Sequence, residues 1–276
     1  MEKVLPIVLT IGIFIVGILS IPLGSVPVPL EYIFSPEKAP EYMRIIIFNL
    51  RLPRIVMAVL IGMMLSSSGA VVQTVFQNPL ADPYIIGIAA SATFGAVIAF
   101  VFGMPDFMYG VIAFVTCLTS TLLIFKMAKK GNKVNVATLL IVGIAVSSFL
   151  GAFTSFAMYL IGEDSFKITM WMMGYLGNAT WKRVIFILIP LIFSVGYFFS
   201  KRNQLDALLS GDEEAHSLGV DVNRLKVKIL TVSALIVAFS VAFSGMIGFV
   251  GLIIPHTIRM LVGPSNTKML PSTILA

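Results

Sequence analysis

Eight long apolar runs, nearly free of charged side chains, constrain this chain more than any other feature. They cover residues 4–23, 55–76, 84–103, 109–126, 135–161, 184–200, 229–247 and 250–263. Most of them approach the roughly 20 residues that a helix needs to cross a bilayer, and the eighth is short. Lipid offers no hydrogen-bond partners to an open backbone, so helices are expected. The sequence therefore predicts an all-α integral membrane protein, a polytopic bundle of about eight transmembrane helices forming one domain over residues 1–276.

Composition excludes several classes of function. Charged residues make up 12% of the 276-residue chain, about half the share in soluble domains. The net charge of +6 is spread between the runs, which argues against nucleic-acid binding. The chain has no G-x-x-x-x-G-K-[ST] phosphate loop and no metal-ligand spacing among its cysteine and histidines, so we expect no metal or cofactor in it and a packed Cys117.

Lysines and arginines in the loops predict the orientation. They crowd the 126–133 loop and the 201–228 loop, as cytoplasmic loops do. Counting crossings back places the N-terminus and the 78–83 turn inside and the 24–54 loop outside. The first run lacks a cleavage site, so we expect it to be a retained span. Arg44, Arg51 and Arg54 then lie outside, against the rule that the other loops obey.

The cytoplasmic 201–228 loop has a pattern of its own. Residues 206–218 predict one short amphipathic helix with leucines on one face and acidic side chains on the other. Gly219 fits the helix C′ position, where φ is positive. A second short element, 220–227, is expected to lead into the next span.

Two further patterns concern aromatic and charged side chains near the span ends. In the outer loop, Trp171, Tyr175 and Trp181 predict an interfacial aromatic belt, on a short surface helix. Arg259, near the end of the eighth run, is expected to snorkel to the cytoplasmic face. A ninth run is expected to begin at Leu270, and the sequence reaches Ala276 soon after.

Several motifs together resemble one known family. They are RLPR at 51–54, SGA at 68–70, QNPLADP at 77–83 with Gly87, WMMG at 171–174, Glu214-Ala215 with Gly219, and GMIGFVGLIIPH at 245–256 with Arg259 and LVGP at 261–264. In this order they resemble the FecCD-like permease subunits of binding-protein-dependent ABC importers for iron–siderophore, haem and cobalamin. The resemblance covers essentially the whole chain.

The resemblance implies partners and a localisation. Such a permease is a homodimer in the plasma or inner membrane, with two ATP-binding cassette subunits that hold ATP and Mg²⁺ and a soluble or lipid-anchored substrate-binding protein outside. The permease itself is not an enzyme. The family usually has ten spans, so this chain is expected to lack the last two and a third outer arginine.

The resemblance also implies site residues. Arg51 and Arg54 dock the binding protein. The residues that contact the ATPase, and those that line or gate the translocation pathway, form two larger sets. The first set is Glu213, Glu214, Ala215, Leu218 and Gly219; the second is Gly69, Gln73, Asn78, Pro79, Asp82, Pro83 and Gly87.

Two other classes of function stay open from the residues alone. An integral-membrane enzyme acting on a lipid-like substrate needs a polar cluster at the interface, but Asp82, Glu163, Asp164 and His256 are scattered. An ion-coupled secondary carrier also uses broken helices like the 78–83 turn. However, the runs nearly lack the ionisable residues that such a carrier needs.

Overall fold

The computed structural model describes residues 4–130 and 133–276, which fold into a bundle of helices. The α-helices are α1 (Leu5–Ser20), α2 (Glu31–Phe34), α3 (Glu41–Ile45), α4 (Leu52–Val75), α5 (Ile88–Val101), α6 (Phe107–Ala128), α7 (Val136–Ile161), α8 (Phe166–Met172), α9 (Trp181–Leu208), α10 (Asp212–Ser217), α11 (Val222–Ser244), α12 (Val250–Val262) and α13 (Asn266–Leu275). Short 3₁₀ turns cover Pro36–Lys38, Pro83–Ile86 and Gly162–Ser165, and a π-helical segment covers Ile46–Arg51. Strands β1 (Lys129–Lys130) and β2 (Lys133–Val134) pair antiparallel.

Each of the eight apolar runs contains an α-helix, which confirms the all-α membrane bundle. Among the residues that the structure describes, five helices are long and apolar enough to cross a membrane: Glu41–Val75, Phe107–Ala128, Val136–Met172, Trp181–Leu208 and Val222–Ser244. Three apolar helices in the same part of the chain are shorter: Val4–Ser20, Ile88–Val101 and Val250–Val262.

Helix α4 lies at the centre of the bundle. Every residue from 64 to 75 is buried, and α9, α11, α12 and α13 pack around it. Small side chains such as Ser67 and Gly69 allow this close approach. The Ser67 hydroxyl donates to the Met64 carbonyl 3.1 Å away, and Ser68 is hydrogen-bonded to Ser233 of α11. The buried Ser67 and Ser68 thus have hydrogen-bond partners inside the protein.

The outer 24–54 segment differs from the expected loop. Residues Glu41–Val75 form a continuous helix of 35 residues, so Arg44, Arg51 and Arg54 lie on a helix. Pro53 cannot donate to the carbonyl of residue 49, and its ring would crowd that carbonyl in a regular α-helix. The π-helical Ile46–Arg51 segment directly before it widens the turn and relieves this conflict.

The predicted helix over 206–218 is wrong. Helix α9 continues to Leu208, and α10 is a separate helix of six residues. Gly211 divides them with φ 122° and ψ 163°, a conformation that only glycine adopts without strain. The expected 220–227 element is also wrong in part, because Val222 already begins α11, with Asp221 capping the amide of Arg224.

The C-terminal elements also differ in their bounds. Residues 245–249 run as irregular backbone between α11 and α12. The Ile247 carbonyl accepts a hydrogen bond from the Tyr84 hydroxyl at 3.3 Å. Helix α13 begins at Asn266, four residues before the expected start at Leu270.

Candidate docking and coupling sites

Arg51 binds its own chain. Its two terminal nitrogens donate to the carbonyls of Ile21 and Val26, at the end of α1 and in the loop after it. Gly24, with φ 150°, packs beneath the guanidinium, and a Cβ there would lie 2.9 Å from Nη2. Arg51 therefore fastens α1 and the following loop to the long helix.

Arg54 is exposed, as is Arg44. Neither takes part in the ion pairs found among residues 4–130 and 133–276. The Trp181 indole donates to the Phe48 carbonyl at 2.8 Å, which brings the start of α9 beside the same helix. Lys182 is exposed there. We call Arg44, Arg54 and Lys182, on the side that the sequence predicts to be outside, the outer basic patch; it draws on two helices. Sequence reasoning missed Lys182, although it directly follows an outer tryptophan.

The three outer aromatic residues do not share one environment. Tyr175 and Trp181 are exposed, whereas Trp171 is half-buried against the core. A Cβ on Gly245 would lie 2.1 Å from the Trp171 carbonyl oxygen, so α8 is packed on the end of α11. Trp171 is therefore a packing residue, and the short helix that carries it covers only Phe166–Met172.

The 78–83 turn is built from side-chain caps. The Asn78 side chain accepts from the Leu80 amide at 2.9 Å, and Asp82 accepts from the Tyr84 amide at 2.7 Å. Burial raises the pKa of the Asp82 carboxyl above its ordinary value, and the bond from Tyr84 partly offsets this rise. Asn78 and Pro79 are exposed, so this part of the predicted pathway set faces outward from the chain.

Gly69 and Gln73 lie in the contact between α4 and α12. A Cβ on Gly69 would lie 1.7 Å from the Gly251 carbonyl oxygen, so the two backbones touch. The Gln73 amide donates to the Leu252 carbonyl at 3.0 Å, and its oxygen accepts from Arg259 at 3.3 Å. Arg259 is half-buried against α4, and its expected snorkelling to the cytoplasmic face stays a prediction.

Pro83 and Gly87 also make close contacts. A Cβ on Gly251 would lie 2.5 Å from Pro83 Cγ. Gly87 has φ 81°, and a Cβ there would lie 3.0 Å from the Ser147 hydroxyl of α7. These two members of the predicted pathway set, like Gly69 and Gln73, hold helices together within the chain.

Helix α10 has one buried face and one exposed face. Ala215 is fully buried against the bundle, whereas Glu213 and Glu214 are exposed. Leu218, just past the end of the helix, is 71% exposed. A large apolar side chain is thus held out beside two carboxylates.

Gly219 ends α10 as the sequence predicts, with φ 82°. Its amide donates to the His216 carbonyl at 2.9 Å, and the Val220 amide donates to the Ala215 carbonyl at 3.0 Å. These two bonds form a Schellman motif, which needs a left-handed residue at this position. The motif fixes the direction in which the chain leaves α10 toward α11.

An ion pair between a buried lysine and an exposed aspartate anchors α10 to α11. Lys226 Nζ lies 2.7 and 2.6 Å from the two carboxylate oxygens of Asp212. The Lys226 side chain is 8% exposed and that of Asp212 is 54% exposed. A buried lysine needs a partner of opposite charge, and Asp212 supplies it. Sequence reasoning missed the pair.

Asp206, near the end of α9, was also missed. Its carboxylate accepts five hydrogen bonds from the start of α13. The donors are the Ser265 hydroxyl at 2.8 Å, the Asn266 amide, the Asn266 side chain at 3.1 Å, the Thr267 amide at 3.4 Å and the Thr267 hydroxyl at 2.8 Å. Three helix ends meet here, because Asn266 also accepts from Thr74 of α4 at 2.9 Å.

Potential metal ligands are scattered. Within the described ranges, 4–130 and 133–276, no group of three or more His, Cys, Asp or Glu residues could hold a metal ion. Cys117 is buried, as predicted. Its thiol lies 3.3 Å from the Ile88 carbonyl, where it donates.

Comparison with known proteins gives consistent results. The FecCD transport family model matches residues 12–276. The cobalamin import system permease protein BtuC of Halobacterium salinarum is 39% identical over 239 residues, and the match spans 86% of this chain and 64% of that relative. The hemin transport system permease protein HmuU of Yersinia pestis is 36% identical, over 82% of this chain and 70% of the relative.

Solved structures agree with these relatives. An inward-facing protein assigned to the metal-chelate type of ABC transporter superposes with a TM-score of 0.87. It is 33% identical to this chain, and the match covers 100% of this chain and 86% of that one. Sequence and fold therefore point to the same relatives.

Proposed function

Because this chain belongs to the FecCD transport family, we propose that it is the permease subunit of an ABC importer for a metal chelate. The cargo class is iron–siderophore, haem or cobalamin, and the relatives named for cobalamin and hemin transport support this range. The chain catalyses no covalent reaction. Energy comes from ATP and Mg²⁺ on a separate ATP-binding cassette subunit.

The structure of α10 carries this proposal. The helix is fixed to the bundle by the buried Ala215 and by the Asp212–Lys226 pair. Beyond it, Leu218 stays 71% exposed, outside the membrane-length helices. An exposed leucine beside carboxylates, on a helix that is fixed to the bundle, offers a surface to a protein partner. We propose that Glu213, Glu214 and Leu218 enter a cleft of the ATPase, and that Ala215 and Gly219 shape the helix.

The outer basic patch supports a second contact. Arg44, Arg54 and Lys182 are exposed cations on the side that charge rules assign to the outside. Cations at a docking surface speed the encounter with an acidic partner and orient it. The partner we propose is the acidic surface of a substrate-binding protein. Arg51 contributes indirectly, by holding the helix that carries Arg54.

The translocation pathway lies between two copies of the chain in this proposal. Asn78 and Pro79 are exposed next to Leu80, which suits a gate that closes against a second copy. Gly69, Gln73, Asp82, Pro83 and Gly87 act behind it, by fixing the helices that form the wall. The homodimer is inserted in the plasma or inner membrane with its N-terminus in the cytoplasm.

Reconstitution tests the proposal. Proteoliposomes carrying the permease and its cognate ATPase are supplied with ATP inside, binding protein outside, and cyanocobalamin, haemin or ferric ferrichrome as cargo. We expect ATP-dependent accumulation of one of them, lost when the Walker A lysine of the ATPase is replaced. Uptake that follows an ion gradient and survives that replacement would instead indicate a secondary carrier. Chemical conversion of an added lipid would indicate a membrane enzyme.

A further inference from the structure

The end of α9 is fastened to two other helices just before α10 begins. Asp206 binds the start of α13 through the five hydrogen bonds described above, and the Leu208 carbonyl accepts from Gln77, at the end of α4, at 2.7 Å. Asp212, the first residue of α10, follows after only three residues. The end of α9 that leads into α10 is therefore joined to both α4 and α13.

Asp206 supplies the cap that α13 lacks. Ser265 occupies the N-cap position but makes no side-chain bond to its own helix. The first amides of a helix need outside acceptors, and Asp206 serves those of Asn266 and Thr267. Its negative charge also lies at the positive end of this ten-residue helix. An N-cap normally comes from the same helix, so a cap from α9 joins the two helix ends physically.

The junction continues into α4. Asn266 is fully buried and bonds both Asp206 and Thr74. Movement of the end of α9 must therefore move the start of α13 and the end of α4, or break these bonds. Gly211, which separates α9 from α10 with φ 122°, is the weak point where movement could otherwise be lost.

From this junction we infer that Asp206 is a positioning residue that transmits displacement of α10 to α13 and α4. The inference rests on the proposed function, because the displacement comes from a partner ATPase. Without the Asp206 carboxylate, movement of α10 bends the chain at Gly211 and does not displace α13. ATP is then hydrolysed without transport.

The test uses Asp206→Ala in the full complex, with cyanocobalamin, haemin and ferric ferrichrome as probes. Cargo imported per ATP hydrolysed should fall about fivefold or more, while binding-protein-stimulated hydrolysis continues. Hydrogen exchange at residues 266 and 267 should accelerate roughly 2- to 30-fold, as expected for a lost N-cap. Asp206→Asn keeps one acceptor oxygen, so its cargo per ATP and its hydrogen exchange should lie between those of the wild type and Asp206→Ala. If Asp206→Ala is degraded, the comparison of Asp206→Asn with the wild type is the test.

Asn135→Ala is the matched control. Asn135 caps α7 by accepting from the Thr138 amide at 3.1 Å, a bond within its own helix, so its loss should leave cargo per ATP unchanged. This inference alone is overturned if the wild-type complex imports a probe normally and the Asp206 variants keep either the wild-type cargo per ATP or the wild-type hydrogen exchange at residues 266 and 267. A wild-type complex that imports none of the probes under ATP overturns the proposed function, and this inference with it.

Discussion

Arg51 and Arg54 occupy similar places in the sequence but should respond differently to substitution by alanine. Arg51 donates from two guanidinium nitrogens to backbone carbonyls of a separate segment. A shielded hydrogen bond to a charged group contributes about 1.5–3 kcal/mol, and solvent weakens this pair because one bond is exposed and the other half-buried. We therefore assign about 1 kcal/mol to each bond, or about 2 kcal/mol in all.

Arg54 gives the opposite expectation. Its side chain is exposed, so Arg54→Ala should change the free energy of unfolding by less than about 0.5 kcal/mol. Stimulation of ATPase activity by the binding protein should nevertheless fall severalfold, and further in Arg54→Glu. Arg51→Ala should keep most of that stimulation at temperatures where it remains folded.

The assay is thermal unfolding of the purified permease in detergent, combined with ATPase stimulation in the reconstituted complex. At about 2–4 °C per kcal/mol, Arg51→Ala should lower the midpoint by about 4–8 °C and Arg54→Ala by less than about 2 °C. Gly24→Ala should resemble Arg51→Ala, since a Cβ would displace the guanidinium. Equal destabilisation by the two arginine variants would refute this reasoning, as would loss of stimulation in Arg51→Ala without loss of stability.

Four further predictions use contacts at other points of the fold. Gly219→Val should uncouple ATP hydrolysis from uptake, because a β-branched residue is strained at φ 82°, whereas Gly219→Asn should retain coupling; equal uptake per ATP in both variants would argue against the Schellman end. Asp212→Ala should destabilise more than Lys226→Met, by about 3 kcal/mol against about 1 kcal/mol, since only the first leaves a buried charge unpaired; denaturation that ranks them in reverse contradicts the pair geometry. Gly69→Ala should cost about 1–3 kcal/mol by overpacking, whereas Gly62→Ala, with nothing within 4 Å, should be neutral in the same melting assay. A cysteine placed at position 54 should react with a membrane-impermeant maleimide added to intact cells, and reaction only after permeabilisation would reverse the topology.

Much of the bundle could be predicted because it follows from local chemistry. Apolar runs of this length satisfy their backbone in lipid as helices, and each of the eight contains one. Gly219 was predicted from its position after an amphipathic segment, and its left-handed backbone follows from that local pattern. The break at Gly211 was not predicted, because apolar residues recur at helical spacing on both sides of it.

The functional junctions were harder to predict because they join distant parts of the chain. Asp206 and Asn266 are 60 residues apart, and no local pattern shows that one caps the other. Arg51 looks like a free outer cation in the sequence, yet its guanidinium turns inward to Ile21. Charge and spacing can locate a basic surface, but the direction of each side chain depends on tertiary packing.

The short length of α12 has a consequence for how the protein is inserted into the membrane during synthesis. Its 13 residues measure about 20 Å, well below the roughly 30 Å of hydrocarbon that an independently inserted helix must cross. We therefore expect α12 to insert together with α11 and then to pack on α4, which is synthesised earlier. Helix α12 meets α4 at the backbone contact between Gly69 and Gly251. We therefore expect a side chain added at either glycine to cause rapid proteolytic turnover of newly made chains.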